Sequence, residues 1–470
     1  MCSEQRAQSI RLLSSTARQV LFVSAGLLAP KKRDHPLARR QLYLNYGALA
    51  LATRCDLNGV PAKLVHGGHE CPATLAMSLY RAGDVRSDAP LMLSIPSFYA
   101  LPWAQAFCAA MVKLEPGLRI VVGGRWVTGP DKAWLAGKLP WASEIVQGLA
   151  EEQLPRLLGS PLICRPGQRD TGGFLNHRLV QDYLTYQPSI EASRGCGMRC
   201  AFCEERDIPL SDLQTPSVIV EHMQRLASDY ATTDIHPYLQ SSYFLPNRRW
   251  ARQLADEVEQ RDIRLAWRTE SRVDSITPET LGMLAQAGLK VIDLGLESAS
   301  QTQIKAMNKA RDPQRYLESA SRLLKACAHH GVWAKVNVML YAGESALTLR
   351  QTQDWLDEHA HCIKGVSVGP VVVYGPPSHS AGFIQQLSEW GARPVDPQSA
   401  EGCGVTAMHL SSTMSQQDAE AHGMALSRRY MSSADYFDLK CFSYYPRDYR
   451  ADEYAKDIAE SDVQCLPFRL

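Results

Sequence analysis

Three cysteines lie within eight residues of one another near the middle of the chain, at Cys196, Cys200 and Cys203. This spacing lets one loop bring three thiolates to one metal centre, and iron–sulfur clusters are held by thiolates from such loops. A tetrahedral structural zinc site would need a fourth ligand, and the nearest downstream histidine, His222, falls inside a predicted helix. Three ligands leave one metal position open for another molecule. The spacing therefore predicts a metal or cluster site, with chance clustering of core thiols as the alternative.

Composition limits the context in which this site works. The chain has 470 residues, 13 cysteines and a formal net charge of +1. An odd cysteine count without a secretory signal argues against a disulfide framework and predicts a cytoplasmic, reducing location. The balanced charge gives no global reason to expect nucleic acid or an anionic membrane as partner. No run of about 18 apolar residues is present, so no transmembrane helix is expected.

The first part of the chain predicts a sheet upstream of the cysteine loop. Short apolar runs alternate with helix-like segments, and strands are expected at 19–24, 62–66, 90–95, 119–122 and 144–146. Strands separated in this way predict an α/β, doubly wound (Rossmann-like) parallel sheet with both faces covered. Such sheets bind ligands beyond the carboxyl ends of their strands. The stretch 159–173, rich in Gly, Pro and charge, is interpreted as a linker.

A second alternation of strands and helices begins just before the cysteine loop. About six strands follow one another between residues 189 and 373, which predicts a partial (β/α)6 barrel with its site at the strand carboxyl ends. The last stretch breaks this rhythm and predicts a small α+β domain. We therefore divide the chain into a doubly wound domain (1–160), a linker (161–188), a barrel (189–375) and a C-terminal domain (376–470).

At the cysteine loop the sequence closely resembles the radical S-adenosylmethionine (SAM) superfamily, including the aromatic residue Phe202 before the last cysteine. The resemblance implies a [4Fe–4S] cluster on Cys196, Cys200 and Cys203. It implies that the fourth iron chelates SAM, and that one electron cleaves SAM to a 5′-deoxyadenosyl radical. An external electron donor such as flavodoxin or ferredoxin would supply that electron.

Segments further along the barrel also resemble this superfamily. Trp267–Asp274 resembles its third-strand segment, Asp293–Ser298 its fourth-strand segment, and Tyr341–Glu344 stands where a Pro-Gly-Glu-Thr turn is common. The resemblance implies that SAM is bound by Phe202, Glu270, Arg272, Glu297 and Ser298. The alternative for the charged residues is an ion-paired strand end.

Three further residues are candidates at predicted strand ends. Tyr341 and Tyr374 could line the substrate cavity as catalytic residues, with core packing as the alternative. Arg194 could pack beside the cluster, with a surface ion pair as the alternative.

The N-terminal half, residues 1–160, resembles the cobalamin-binding domain of one large radical SAM class. The resemblance rests on Asn45–Ala52, on Ser94-Ile95-Pro96-Ser97 and on Val121–Thr128. It implies cobalamin contacts at Ser94, Ser97, Gly123, Gly124 and Arg125. The Asp-x-His-x-x-Gly motif is absent, and His66 and His69 are interpreted as loop histidines. Base-off cobalamin without histidine coordination is therefore expected.

The two resemblances together predict a cobalamin-dependent radical SAM enzyme, of the kind called class B methyltransferases. The expected reaction is methylation of an unactivated carbon in a small metabolite or natural-product intermediate, with a peptide as the alternative substrate. The C-terminal domain is expected to cap the substrate. One alternative keeps both cofactors and catalyses a rearrangement, cyclisation or oxidation. The other is a protein that binds a metal cluster or senses through it.

Overall fold

A computed structural model describes residues 19–159 and 173–470 of the chain. Contacts divide these residues into two compact units. The described part of the first unit is 19–28, 45–159 and 176–183, and that of the second is 29–44, 173–175 and 184–470. Residues 161–172 of the predicted linker lie outside the described residues. Within the described ranges, no helix is long and apolar enough to cross a membrane.

The first unit is built on a parallel sheet. Its strands are β1 (Val20–Ser24), β2 (Ala62–His66), β3 (Leu91–Ser94), β4 (Ile120–Gly123) and β5 (Glu144–Ile145). They lie in the order β2-β1-β3-β4-β5. The helices are α1 (Tyr46–Leu57), α2 (Pro72–Arg81), α3 (Leu101–Leu114), α4 (Lys132–Lys138) and α5 (Leu154–Leu158). All five residues of β1 are buried, because a parallel strand is covered on both faces. The predicted doubly wound sheet is confirmed.

The second unit is built on six parallel strands that lie in chain order. They are β6 (Ser189–Glu191), β7 (Tyr238–Gln240), β8 (Trp267–Arg272), β9 (Leu289–Glu297), β10 (Trp333–Leu340) and β11 (Gly365–Pro370). The helices between them are α6 (Pro216–Tyr230), α7 (Arg248–Gln260), α8 (Pro278–Gln286), α9 (Gln301–Ala306), α10 (Pro313–His329) and α11 (Ala346–His359). In the described residues β6 and β11 do not pair with each other. The sheet is therefore open, as the predicted partial barrel requires.

One face of this sheet is polar. In β10 the residues alternate between buried and half-buried, because successive side chains of a strand point to opposite faces. Val336 and Val338 lie on the buried face, and Lys335 and Asn337 lie on the other. The same alternation puts Arg268, Glu270 and Arg272 of β8 on the polar face.

The C-terminal part of the second unit contains a small antiparallel sheet and five helices. The sheet has the order β12-β14-β13, with β12 (Val372–Tyr374), β13 (Arg393–Pro394) and β14 (Val405–His409). The helices are α12 (Pro377–Ser388), α13 (Ser399–Cys403), α14 (Gln416–Arg429), α15 (Ser433–Ser443) and α16 (Ala451–Ala459). This is the α+β composition that the sequence predicts.

Two parts of this C-terminal region reach opposite ends of the six-stranded sheet. Aromatic residues of α15 and α16, among them Tyr436 and Phe442, pack with Val291 and Trp333 near the amino ends of β9 and β10. The segment after β14 reaches the carboxyl end of β10 instead, where Gly343 N donates to Leu410 O at 2.7 Å.

Candidate active site

The three cysteines follow β6 at its carboxyl end. Cys200 is buried, Cys196 and Cys203 are half-buried, and all three are free thiols. Burial raises the pKa of the Cys196 thiol. In the described residues, no three side chains of His, Cys, Asp or Glu converge on a point where one metal ion would bind. A [4Fe–4S] cluster makes a different demand, because each thiolate binds a separate iron. Three free thiols on one short loop meet that demand.

The cysteine loop is held by its own backbone. Gly195 has a φ of 75°, and a side chain there would overlap the carbonyl of Pro209. This turn therefore requires glycine. The middle of the loop is fixed from outside, because Ala201 N donates to Met307 O at 2.9 Å. The loop is thus anchored both to its own return segment and to the chain after α9.

Arg272, at the end of β8, connects this loop to the barrel. Its guanidinium pairs with Asp274 at 2.9 Å and lies 3.4 Å from the Cys200 sulfur. It also donates to the Lys309 carbonyl at 2.6 Å. The side chain is only 7% exposed. A buried cation this close to a sulfur could tune a cluster held there, because hydrogen bonds and charge near the sulfurs have that effect.

Glu297, at the end of β9, lies in the same region. Its backbone is left-handed, with a φ of 63°, which a residue other than glycine adopts only when its surroundings fix it. Its carboxylate accepts from Lys309 Nζ at 3.0 Å, and that ammonium lies 5.8 Å from the centre of the Phe202 ring. Phe202, Arg272 and Glu297 are therefore linked to one another through Lys309.

Two other candidates are engaged in structural contacts. The Ser298 hydroxyl lies 3.0 Å from that of Thr352 on α11, and it accepts from the backbone NH of Ser300. Arg194 forms an ion pair with the buried Glu191 at the end of β6.

Glu270 lies on the polar face of the sheet, among other charged side chains. It is exposed, yet the surrounding protein raises the pKa of its carboxyl. Asp293 on the neighbouring strand pairs with Lys335 at 2.6 Å and with Arg268 at 3.8 Å. Burial favours the neutral acid there, but these two cations outweigh it and lower the pKa of Asp293. Glu270 therefore has accessible surface beside the charged side chains of the neighbouring strands.

The two candidate tyrosines lie on different sheets. Tyr341 follows β10 and is 1% exposed, and burial raises its pKa to about 12. Tyr374 is half-buried at the end of β12, in the antiparallel sheet. Glu344, three residues after Tyr341, is also buried. Burial raises its pKa to about 7, although its carboxylate accepts from the Thr348 hydroxyl.

In the first unit, the carboxyl edge of the sheet is held by Asn45. Its side-chain oxygen accepts from Ala48 N at 3.0 Å and caps α1. Its amide nitrogen donates to the hydroxyls of Ser24 and Ser94, both at 3.0 Å. Its backbone NH donates to His66 Nε2 at 2.9 Å. Burial lowers the pKa of His66 to about 4, so this nitrogen is a neutral acceptor already used within the protein.

The predicted cobalamin contacts lie along this edge, but their constraints differ. Gly124 has a φ of 102°, and a Cβ there would come within 2.7 Å of the Ile95 backbone. Gly123 has its nearest neighbour at 3.7 Å. Ser97 immediately precedes a short 3-10 helix (Phe98–Ala100), and the exposed Arg125 is the first residue of another. Gly124 is therefore required by the fold of the turn itself, and Gly123 is not.

Several residues at these two sites were not chosen from the sequence. Lys309 lies beyond the fourth-strand segment Asp293–Ser298 that carries the family resemblance, and Asn45 stands where a helix cap is common. The polar face of the second sheet could have been predicted from Lys335 and Asn337, which stand at alternate positions of an otherwise apolar strand. The contact between Arg272 and Cys200 had no local signal, because 72 residues separate the two.

Comparison with known proteins relates part of the chain to a described family of enzymes. Residues 190–356 match the family profile of the Radical SAM superfamily. A protein of Pyrococcus horikoshii named as an uncharacterized methyltransferase is 23% identical over 148 residues, which are 30% of this chain and 30% of that protein. The match thus spans less than a third of that relative.

Two solved structures share the fold more widely. One is TsrM from Kitasatospora setae, a radical SAM methyltransferase with cobalamin and a [4Fe–4S] cluster bound. It matches with a TM-score of 0.60 at 17% identity, over 97% of this chain and 93% of that one. The other is OxsB, a cobalamin-dependent SAM radical enzyme with aqua-cobalamin and SAM bound. It matches with a TM-score of 0.55 at 14% identity, over 80% and 56%.

Residues 190–356 are therefore a radical SAM domain, whose chemistry uses a [4Fe–4S] cluster and SAM. Over 97% of its length the chain shares the fold of TsrM. The resemblance that the cysteine loop predicts is confirmed.

Proposed function

We propose that the protein is a cobalamin-dependent radical SAM methyltransferase that methylates an unactivated carbon of a small metabolite or natural-product intermediate. The observation that carries this proposal is the likeness to cobalamin- and cluster-bound TsrM over 97% of the chain. The methyltransferase name of the Pyrococcus horikoshii protein supports it. When bound, the two cofactors supply the radical and the methyl transfer.

Cys196, Cys200 and Cys203 are the proposed cluster ligands. Arg272 lies 3.4 Å from the Cys200 sulfur, so it places a positive charge and a hydrogen-bond donor beside a proposed ligand, and both tune such clusters. A loop with three thiols leaves one iron for SAM, which fits the absence of a fourth cysteine in the Cys196–Cys203 stretch.

The proposed SAM site combines an aromatic ring with a buried ion pair. Phe202 offers a face for an adenine ring. The Glu297–Lys309 pair offers a carboxylate for hydroxyls and an ammonium for a carboxylate. Ser298 acts through the turn that it holds against Thr352, so its role there is to position the end of β9.

The proposed cobalamin site is the carboxyl edge of the first sheet, at Ser94, Ser97, Gly123, Gly124 and Arg125. Open crevices at this edge are where doubly wound sheets bind ligands. His66 already accepts a backbone hydrogen bond through Nε2, which supports base-off cobalamin without coordination by this histidine.

The polar face of the second sheet is the proposed substrate site. Glu270 has accessible surface there, and Asp293 is held by two cations. Polar groups placed in an enclosed space orient a small molecule. TsrM has been solved with tryptophan as its substrate, which favours a small molecule over a peptide. Tyr341 and Tyr374 remain proposed catalytic candidates, and residues 376–470 the proposed cap.

Product analysis tests the proposal. If hydrogen abstraction precedes methyl transfer, turnover should give 5′-deoxyadenosine and S-adenosylhomocysteine in about equal amounts, since one SAM serves each role. Methyl-labelled SAM should put its label into the product. Deuterium at the reacting carbon should appear in deoxyadenosine. Deoxyadenosine without methylated product would favour the rearrangement alternative, and no SAM cleavage by iron-loaded protein would favour a sensing protein.

A further inference from the structure

A cavity of about 650 Å³ opens beside the cysteine loop. One side is formed by Met198 and Arg199 of the loop, and the other by the segment from Asn308 to Arg315. Asn308 fastens the two sides together, because its amide donates to the Arg199 carbonyl at 2.9 Å. Arg272 also lines this cavity. The cavity is therefore a built feature of the second unit, shared by the loop and the start of α10.

The surface around the cavity is basic. Arg199, Arg311 and Arg315 line it and are exposed. In the part of the chain that the structure describes, no carboxylate lies within 4.0 Å of their guanidinium nitrogens. Arg322 lies about two turns beyond Arg315 in α10. Its guanidinium donates to the hydroxyl of Ser319, on the cavity wall, at 2.9 Å.

The acidic residues at the cavity do not balance this charge. Asp274 already pairs with Arg272. Asp312 accepts from the backbone NH of Arg315 and caps α10, so it is the one exposed carboxylate among the described lining residues. Three exposed guanidinium groups against one carboxylate leave an excess of two positive charges on a protein whose net charge is +1.

A single side chain, Arg272, connects this cavity with the Cys200 sulfur. Arg272 lines the cavity and its guanidinium lies 3.4 Å from the Cys200 sulfur. A partner seated at the cavity would therefore be separated from a cluster ligand by one conjugated, charged group. Met198, which also lines the cavity, donates its backbone NH to the Cys196 thiol.

We propose that this basic face, formed by Arg199, Arg311 and Arg315, is the docking surface for an acidic one-electron carrier protein of the flavodoxin or ferredoxin type. Complementary charge steers such a partner and fixes its orientation. One electron passes from the reduced carrier to the cluster, so the carrier is oxidised and the cluster reduced by one electron each. No bond or proton change is needed. The proposal rests on the proposed function only in that Cys200 is a cluster ligand.

The test compares two charge reversals of equal size. Arg311→Glu with Arg315→Glu alters the basic face. Arg249→Glu with Arg252→Glu alters two exposed arginines of α7 that do not line the cavity. The dissociation constant of oxidised bacterial flavodoxin is measured calorimetrically on anaerobically reconstituted protein at low and high salt. The face variant should bind about tenfold more weakly at low salt, and high salt should remove most of the difference.

Cluster reduction provides the second readout. Loss of the cluster absorption after mixing with reduced flavodoxin should slow in the face variant and remain fast in the α7 variant. Dithionite, a small chemical reductant, should reduce both at the parent rate. If dithionite reduction also slows, the loop has been damaged, and Arg311→Gln with Arg315→Gln then decides by the same two measurements.

Two results would overturn the proposal. Equal flavodoxin affinity and equal reduction rates in the two variants would remove the docking surface. Binding of inorganic phosphate at the cavity without competition from flavodoxin would make it a small-anion site. Neither result concerns the methylation reaction. A normally reduced enzyme that gives no methylated product would instead contradict the proposed function alone.

Discussion

The two parallel sheets of this protein end in very different chemistry at their carboxyl edges. In the first unit, Asn45 joins Ser24 and Ser94 through neutral hydrogen bonds. In the second, Arg272 and Glu297 each take part in a buried ion pair beside the cysteine loop. Removing one partner of a neutral hydrogen bond costs less free energy than leaving a buried charge unpaired. The second edge is therefore expected to be far more sensitive to substitution.

The most severe change on the charged edge removes a thiol. Wild-type protein should contain about four irons per chain after anaerobic reconstitution, because three thiolates hold a [4Fe–4S] cluster. Cys200→Ala should lose the cluster and SAM cleavage together, as measured by iron and sulfide analysis and by deoxyadenosine formation. Cys403→Ala, at another half-buried free thiol, should lose neither. A fully loaded, SAM-cleaving Cys200→Ala protein would contradict the ligand assignment.

Arg272→Ala tests the ion pair that supports that thiol. It leaves Asp274 unpaired and removes the contact with the Cys200 sulfur. The free energy of unfolding should fall by about 3 kcal/mol, measured by denaturant titration, and the reduction potential of the cluster should change.

Arg264→Ala is the matched control, because its pair with Asp262 is exposed, at 82% and 79%. It should change the free energy of unfolding by about 0.5 kcal/mol or less. Equal losses of unfolding free energy in the two variants would mean that the ion pair of Arg272 contributes no more to stability than an exposed pair.

Local patterns predict the elements of both edges well. Apolar runs place β1 and β2 within a residue of their observed bounds, because buried parallel strands need continuous apolar sequence. The last of the six strands expected between residues 189 and 373 is instead two strands. Pro370 ends β11, since proline lacks a backbone donor, and the chain then enters the antiparallel sheet at Val372.

Local sequence patterns do not predict contacts between residues that are distant in the chain. The family resemblance implies a cobalamin contact at Gly124, so a side chain there is expected to collide with the cofactor. The collision is with the Ile95 backbone, so Gly124→Leu would damage the turn before it reported on cobalamin. Gly123, with its nearest neighbour at 3.7 Å, is the better position for a probe of the cofactor. Spacing in the sequence marks the turn, but only the fold gives its neighbour.

Glu344, in the second unit, should make the free energy of unfolding depend on pH. Burial raises its pKa from 4.5 to about 7, so between these values the folded state holds a proton that the unfolded state releases. The contribution of this carboxyl to stability is full below pH 4.5 and is lost as the pH rises to about 7. Glu344→Gln imitates the protonated form. Its advantage in the free energy of unfolding over wild type should grow across this window to roughly 1–3 kcal/mol.

Denaturant titrations at several pH values measure this difference. Glu401→Gln, at an exposed position of α13, should leave the pH dependence of stability unchanged. A Glu344→Gln advantage that does not vary with pH would show that the carboxyl is not held neutral by burial.

The smallest effect is expected at the neutral edge. Asn45→Ala removes the cap of α1 and both hydroxyl contacts, and loss of a helix cap lowers the free energy of unfolding by about 1 kcal/mol. Asn247→Ala removes a comparable cap, bonded to Trp250 N at 2.8 Å, from α7 of the second unit. Denaturant titration should give similar losses for the two variants.

The cofactor content of the purified proteins then distinguishes the Asn45→Ala variant from the Asn247→Ala variant. Asn45→Ala should retain less cobalamin on gel filtration and keep its iron, because Ser24 and Ser94 lose the amide that holds the edge of the first sheet. Asn247→Ala should retain both. Asn45→Asp keeps an oxygen that caps α1 but lacks the amide donor, so its stability should recover while its cobalamin retention stays low. Full retention by Asn45→Asp would mean that the hydroxyl contacts do not shape the cobalamin site, and that the neutral edge only supports its helix.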